Sequence, residues 1–165
     1  MMISPNTRRC IGELPPFWDR NVIFFSNLQS IFYENAEEAK HLLEGISGAT
    51  GYGGRVLCII DLLFAKRPNL VVLEARPDQG LIHYLSHDLG LSLPDFVVLG
   101  HDGYREVASL VKSSKNGKAK ETLKGLKKHK AGWIDGFVTD SSLAHIARLL
   151  GKRTISTLEG SKNGN

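Results

Sequence analysis

A chain of 165 residues with 42% hydrophobic and 23% charged residues suits one soluble globular domain, large enough to fold around a single core without disulfides or metals. Only Cys10 and Cys58 are present, which excludes a disulfide framework and favours a reducing, cytoplasmic setting. The net charge of +4 is unevenly placed: residues 1–100 hold 8 Lys and Arg against 11 Asp and Glu, and residues 101–165 hold 13 against 6.

Residues 1–20 read as an irregular lead-in, because Pro5, Pro15 and Pro16 interrupt the stretch and it contains no apolar signal-peptide core. No run of about 18 apolar residues occurs anywhere, so no membrane span is expected. The compact run NVIFF over 21–25 predicts a central strand, with Ser26 and Asn27 in the loop leaving its carboxyl end. Ala36, Ala39, Leu42, Leu43 and Ile46 recur at helical spacing, with Asn35 as a cap.

The next loop, GISGATGYGGR, invites a phosphate-loop reading, but Arg55 and Val56 follow its last glycine where the Walker loop needs Lys and then Ser or Thr. It reads as an interhelical turn. The run 56–64 is apolar nearly all round and predicts a well-buried helix containing Cys58; Arg67 and Pro68 end it, and 70–73 is the second strand.

A helix over 80–89 then carries His83 and His87 at i and i+4. Such a pair can bind zinc, but Tyr84 stands where the catalytic motif wants Glu, and the sequence fixes no third ligand. Two surface or packing histidines is the expected reading, with His101 the nearby residue able to change it. The third strand runs over 95–99, and its exit loop holds His101 and Asp102, a pair that can move protons near neutrality. A turn in which Asp102 caps a helix starting near Tyr104 competes with that reading.

The segment 113–130 is rich in lysine and has a thin apolar stripe of Leu123 and Leu126, so it predicts a solvated amphipathic helix. No aromatic residue interrupts the lysines, as base stacking would require, so specific nucleic-acid recognition is not expected. Ile134, Phe137 and Val138 then form a short apolar run, Thr139 or Asp140 can cap a helix, and Leu143, Ile146, Ala147 and Leu150 recur at helical spacing up to Gly151. The last strand is expected over 153–157.

That final strand–helix–strand pattern, with LAHIARLLGK, RTIST and the terminal SKNGN, resembles the N-terminal domain of ATP-grasp ligases, and more narrowly the pre-ATP-grasp domain of a peptide-ligase-like branch. YGGRVLCIIDLLFAKRPNLVVLEARP resembles the helix of that family ending in Arg-Pro before a strand, and HYLSHDLGLSLPDFVVLG its helix, Leu-Pro and third strand; the likeness covers roughly residues 20–165. The family often has Thr-Ser before Arg-Pro at the second strand exit, where this chain has Glu74 and Ala75 before Arg76 and Pro77.

The resemblance implies a pre-ATP-grasp domain over 21–160, with 161–165 opening a junction to a missing C-terminal ATP-grasp domain as partner. It implies amide or peptide-bond formation through an acyl phosphate, with ATP and magnesium held by the following domain and no cofactor in this chain.

The order of elements predicts an α/β, Rossmann-like, mainly parallel doubly wound sheet of about five strands with helices on both faces. In such a sheet ligands collect beyond the carboxyl ends of the strands, where unpaired helix N-terminal N–H groups favour anions. The expected binding residues for a small carboxylate substrate are therefore Ser26, Asn27, Arg76, His101 and Thr139, with no catalytic residue and no metal ligand in the chain. A homodimer is allowed. Two other readings stand beside the ligase domain: a free-standing module binding a nucleotide or acidic partner through its basic second half, and a small enzyme using His101 and Asp102.

Overall fold

The computed structural model describes residues 19–27, 68–73, 75–99 and 117–156. The helices expected over 36–46 and 56–64, the glycine-rich loop, both cysteines, His101, Asp102 and the junction at 161–165 lie outside the described residues.

Five short strands form one all-parallel sheet: β1 (Val22–Phe25), β2 (Leu70–Leu73), β3 (Asp95–Val98), β4 (Trp133–Gly136) and β5 (Arg153–Thr154), in the spatial order β3-β2-β1-β4-β5. The described helices are α1 (Gln79–His83), which runs on into a π-helical turn (Tyr84–Asp88), α2 (Gly117–Lys128) and α3 (Ser141–Leu150). This is an α/β, Rossmann-like fold. The all-apolar runs of β1 and β2 are buried along their whole length, as strands covered on both faces must be.

Strand alternation sorts the core into two layers. Ile23, Phe25, Leu70, Val72 and Ile134 face α2 and α3, which contribute Leu126, Leu143, Ile146, Ala147 and Leu150. Val22, Phe24, Val71 and Leu73 face the other way, with Phe96, Trp133 and Ile155 packed against them. Each such side chain removed from water contributes about 1.5–3 kcal/mol, so the central strands carry much of the hydrophobic stabilisation. α2 and α3 share a face because the chain reverses direction between β3 and β4. Right-handed crossovers then put the β2–β3 connection on the opposite face.

Several boundaries differ from the sequence reading. The fourth strand is Trp133–Gly136, so Phe137 and Val138 lie beyond it, and Phe137 is exposed with its ring edge-on to Phe24 at 5.2 Å. The expected helix over 80–89 is α-helical only to His83, after which Leu89 N–H bonds to Tyr84 O in an i→i+5 turn. The regular pairing of β5 stops at Thr154, though Ile155 N–H still bonds to Ile134 O. Gly151, at φ +65, ends α3 as expected, and Lys152 N–H closes on Ala147 O behind it.

Candidate functional site at the carboxyl edge

The topological switch point lies between β1 and β4, where one half of the sheet continues to β2 and β3 and the other to β5. The exits of these strands meet there because Phe25 stands opposite Gly136 in the parallel register. Asn27 follows β1 and is 2% exposed. Its side-chain amide donates from Nδ2 to Val138 O at 2.6 Å, and its Oδ1 accepts from Val138 N–H at 3.1 Å. One asparagine thus satisfies both backbone groups of a residue 111 positions away and pins the β4–α3 loop to the end of β1.

Gly136 makes that approach possible. A Cβ there would lie 2.8 Å from Asn27 Oδ1 and 3.0 Å from Phe25 O. Thr139, 8% exposed, comes next, and Asp140 accepts from Leu143 N–H at 2.7 Å to cap α3. On the other side of β1, Ser26 N–H bonds to Val72 O and extends the ladder by one rung.

Asp135 is the residue the sequence reading passed over. It sits in β4 beside Phe24, is 8% exposed, and its Oδ1 lies 3.5 Å from the Ser156 hydroxyl at the exit of β5. Burial pushes its carboxyl above the usual carboxylate range, while the Gly136 N–H and Ser156 pull the other way. A carboxylate placed inside an otherwise apolar central strand opposes stability, and such groups concentrate where a ligand needs them. The sequence signal was an acidic residue between Ile134 and Gly136 in a four-residue strand.

Of the five expected binding residues, Ser26, Asn27 and Thr139 come together at the exits of β1 and β4. Arg76 is exposed in the loop leaving β2, on the same edge, and His101 lies outside the described residues. At both helix starts whose caps are described, an aspartate takes up one N-terminal N–H group. Asp78 accepts from Leu81 N–H at the start of α1 and Asp140 from Leu143 N–H at the start of α3. A carboxylate already occupies the positive end of each dipole, which disfavours an anion there.

The amino edge is built differently. Asn69 Oδ1 accepts from Val22 N–H at 2.8 Å, and Asn21 accepts from Gly132 N–H while donating to Lys130 O. Lys152 Nζ donates to the carbonyls of His129 and Ala131. His129 Nδ1 accepts from Ala131 N–H, and its Nε2 stands 3.5 Å from Asp95 Oδ2 without hydrogen-bond geometry. Burial lowers the His129 pKa below 6.5, which the Asp95 carboxylate opposes, and burial likewise lowers that of Lys152. These side chains tie strand entrances to one another, which is a structural task. The Arg20 guanidinium lies 3.7 Å over the Trp133 ring at the same end.

On α2, Lys120, Lys124, Lys127 and Lys128 are exposed, while Leu126 is buried and Leu123 packs at the core edge. No helix among the described residues is long and apolar enough to cross a membrane. Comparison with protein-family models, with curated proteins and with solved structures found no match to this chain.

Proposed function

We infer that the chain is the substrate-side N-terminal domain of an ATP-dependent carboxylate–amine ligase, contributing one wall of the acid's binding site and inactive in ATP turnover by itself. The observation that carries this reading is the group of polar residues at the carboxyl edge of the sheet. A buried carboxyl, Asp135, and a buried asparagine, Asn27, are set at the switch point of a parallel sheet, next to Thr139 and within the same edge as Arg76. Arg76 offers a planar fork suited to a carboxylate, and Asp135 offers an acceptor for the amine or hydroxyl of the same small molecule. The aspartate-capped helix starts disfavour a further anion there, which supports a reading with ATP and magnesium held by a following grasp domain.

The test is a chemical-shift map of the whole chain titrated with amino acids, dipeptides and simple hydroxy acids, alongside magnesium–ATP. Shifts centred on Ser26, Asn27, Arg76, Asp135 and Thr139 with the acids, none with the nucleotide, and no measurable ATP hydrolysis are the expected outcome. Strong nucleotide shifts at the same residues would replace it with the nucleotide-binding module. Polyanion-induced shifts confined to the exposed lysines of α2 would favour the acidic-partner reading, which rests on that basic face.

A further inference from the structure

The π-helical turn after α1 gathers three metal-ligating side chains, His83, His87 and Asp88, the last of which a regular helix would turn away from the first. His83 and His87 stack with ring centroids 4.7 Å apart and planes inclined by 21°. His87 Nδ1 and Asp88 Oδ1 are 3.1 Å apart. One ligand atom from each of His83, His87 and Asp88 lies within 4.8 Å of the other two.

Helix geometry explains the convergence. In an α-helix the residue five positions on stands about 140° round from the first, so Asp88 would point away from His83. Over Tyr84–Asp88 the winding loosens, and an i→i+5 bond from Leu89 N–H to Tyr84 O closes the wider turn. That brings the fifth residue back over the first and adds a carboxylate to the histidine face. Single π turns of this kind recur at functional sites because one loosened turn re-aims side chains without ending the helix.

We propose that His83, His87 and Asp88 form a surface site for a divalent first-row transition ion, with zinc as the reference occupant. Two ligands each about 2.0–2.1 Å from a tetrahedral ion are separated by about 3.3 Å, close to the 3.1 Å already present between His87 Nδ1 and Asp88 Oδ1. The His83 ring reaches the same point by side-chain rotation. The site is open: His83 is exposed, and the His87 and Asp88 side chains are 75% and 50% exposed, which gives the rings room to turn toward a shared ion. Two imidazoles and one carboxylate suit Zn²⁺, Ni²⁺ or Cu²⁺ in preference to Mg²⁺ or Ca²⁺. Three protein ligands leave a coordination position for water or a ligand atom, which distinguishes the arrangement from a closed structural zinc.

The experiment uses the full chain and has two arms. Zn²⁺ titrated calorimetrically into the wild type is expected to bind one equivalent at least tenfold more tightly than it binds the H83Q/H87Q double variant, with D88N weakened about tenfold. In the second arm, substoichiometric Cu²⁺ is expected to broaden the amide signals of residues 79–90 before any others. Equal zinc affinity in the wild type and the double variant overturns the proposal, as does copper broadening that begins elsewhere. The copper arm needs only the wild type, so a variant that failed to fold would still leave the result decided.

Discussion

Two titratable side chains show how burial sets stability against pH, with opposite signs. Asp135 has a folded pKa raised above 3.8, so the folded chain holds its proton more tightly than the unfolded chain. Stability therefore falls as pH rises from 3.8 through the folded value, and the charged carboxyl opposes folding above that. Asp135→Asn keeps the size and removes the charge. It is expected to raise the unfolding free energy at pH 7 by about 1 kcal/mol and to flatten the acid-side slope, while losing ligand-induced shifts at the crevice; parallel urea titrations and shift maps would check this. Unchanged ligand shifts in a stabilised variant would remove Asp135 from the site. His129 has a folded pKa lowered below 6.5, so the unfolded chain takes the proton first and stability is lost as pH falls from 6.5 to the folded value. His129→Gln is expected to make the unfolding free energy less dependent on pH below 6.5 than in the wild type, measured as a difference so that the other histidines cancel. An identical pH slope in both chains would show that burial of this ring does not govern acid stability.

At the scale of elements, the β4–α3 loop and α2 invite a paired glycine experiment. Gly136→Ala drives a methyl group against Asn27 Oδ1 at 2.8 Å and a strand carbonyl at 3.0 Å, so it must break the bridge to Val138 or shift β1. A cost of about 2 kcal/mol is expected, comparable to leaving a buried amide unpaired. Gly125→Ala meets nothing within 4 Å at the start of the last turn of α2 and should stabilise by about 0.5 kcal/mol through helix propensity. Denaturant midpoints moving in opposite directions would bear this out, and equal shifts would mean the Asn27 bridge does not hold the loop.

At the scale of the whole molecule, the positive second half of the chain appears in the fold as the lysines of α2, exposed on the side away from the core. Lysines without aromatic partners attract polyanions mainly by releasing counterions. Binding to single- or double-stranded nucleic acid is expected to be weak, indifferent to sequence, and reduced by at least tenfold between about 50 and 200 mM salt in an anisotropy titration. Tight binding that persisted at high salt and discriminated among sequences would show base recognition and move the functional centre to α2.

The parallel α/β fold was legible in the chain because its signals are local and repeated. Short apolar runs alternate with segments of helical period, Asp140 caps α3, and Gly151 stops it. The position of Ser26, Asn27 and Thr139 at strand exits was legible for the same reason, since each directly follows a run that reads as a strand. Asp135 was hidden because burial of a carboxylate depends on strands from distant parts of the sequence closing round it. Asp88 was hidden because only the loosened turn at Tyr84–Asp88 brings it to the histidines. Among the described residues, the sequence by itself determined which segments become strands and helices and in what order, through periodicity and capping. The tertiary structure decided which polar side chains are taken up by neighbouring backbone groups, as Asn27, Asn69 and Asp140 are, and which carboxyl is left buried at the switch point. Those outcomes depend on contacts between residues far apart in the chain, which no local pattern encodes.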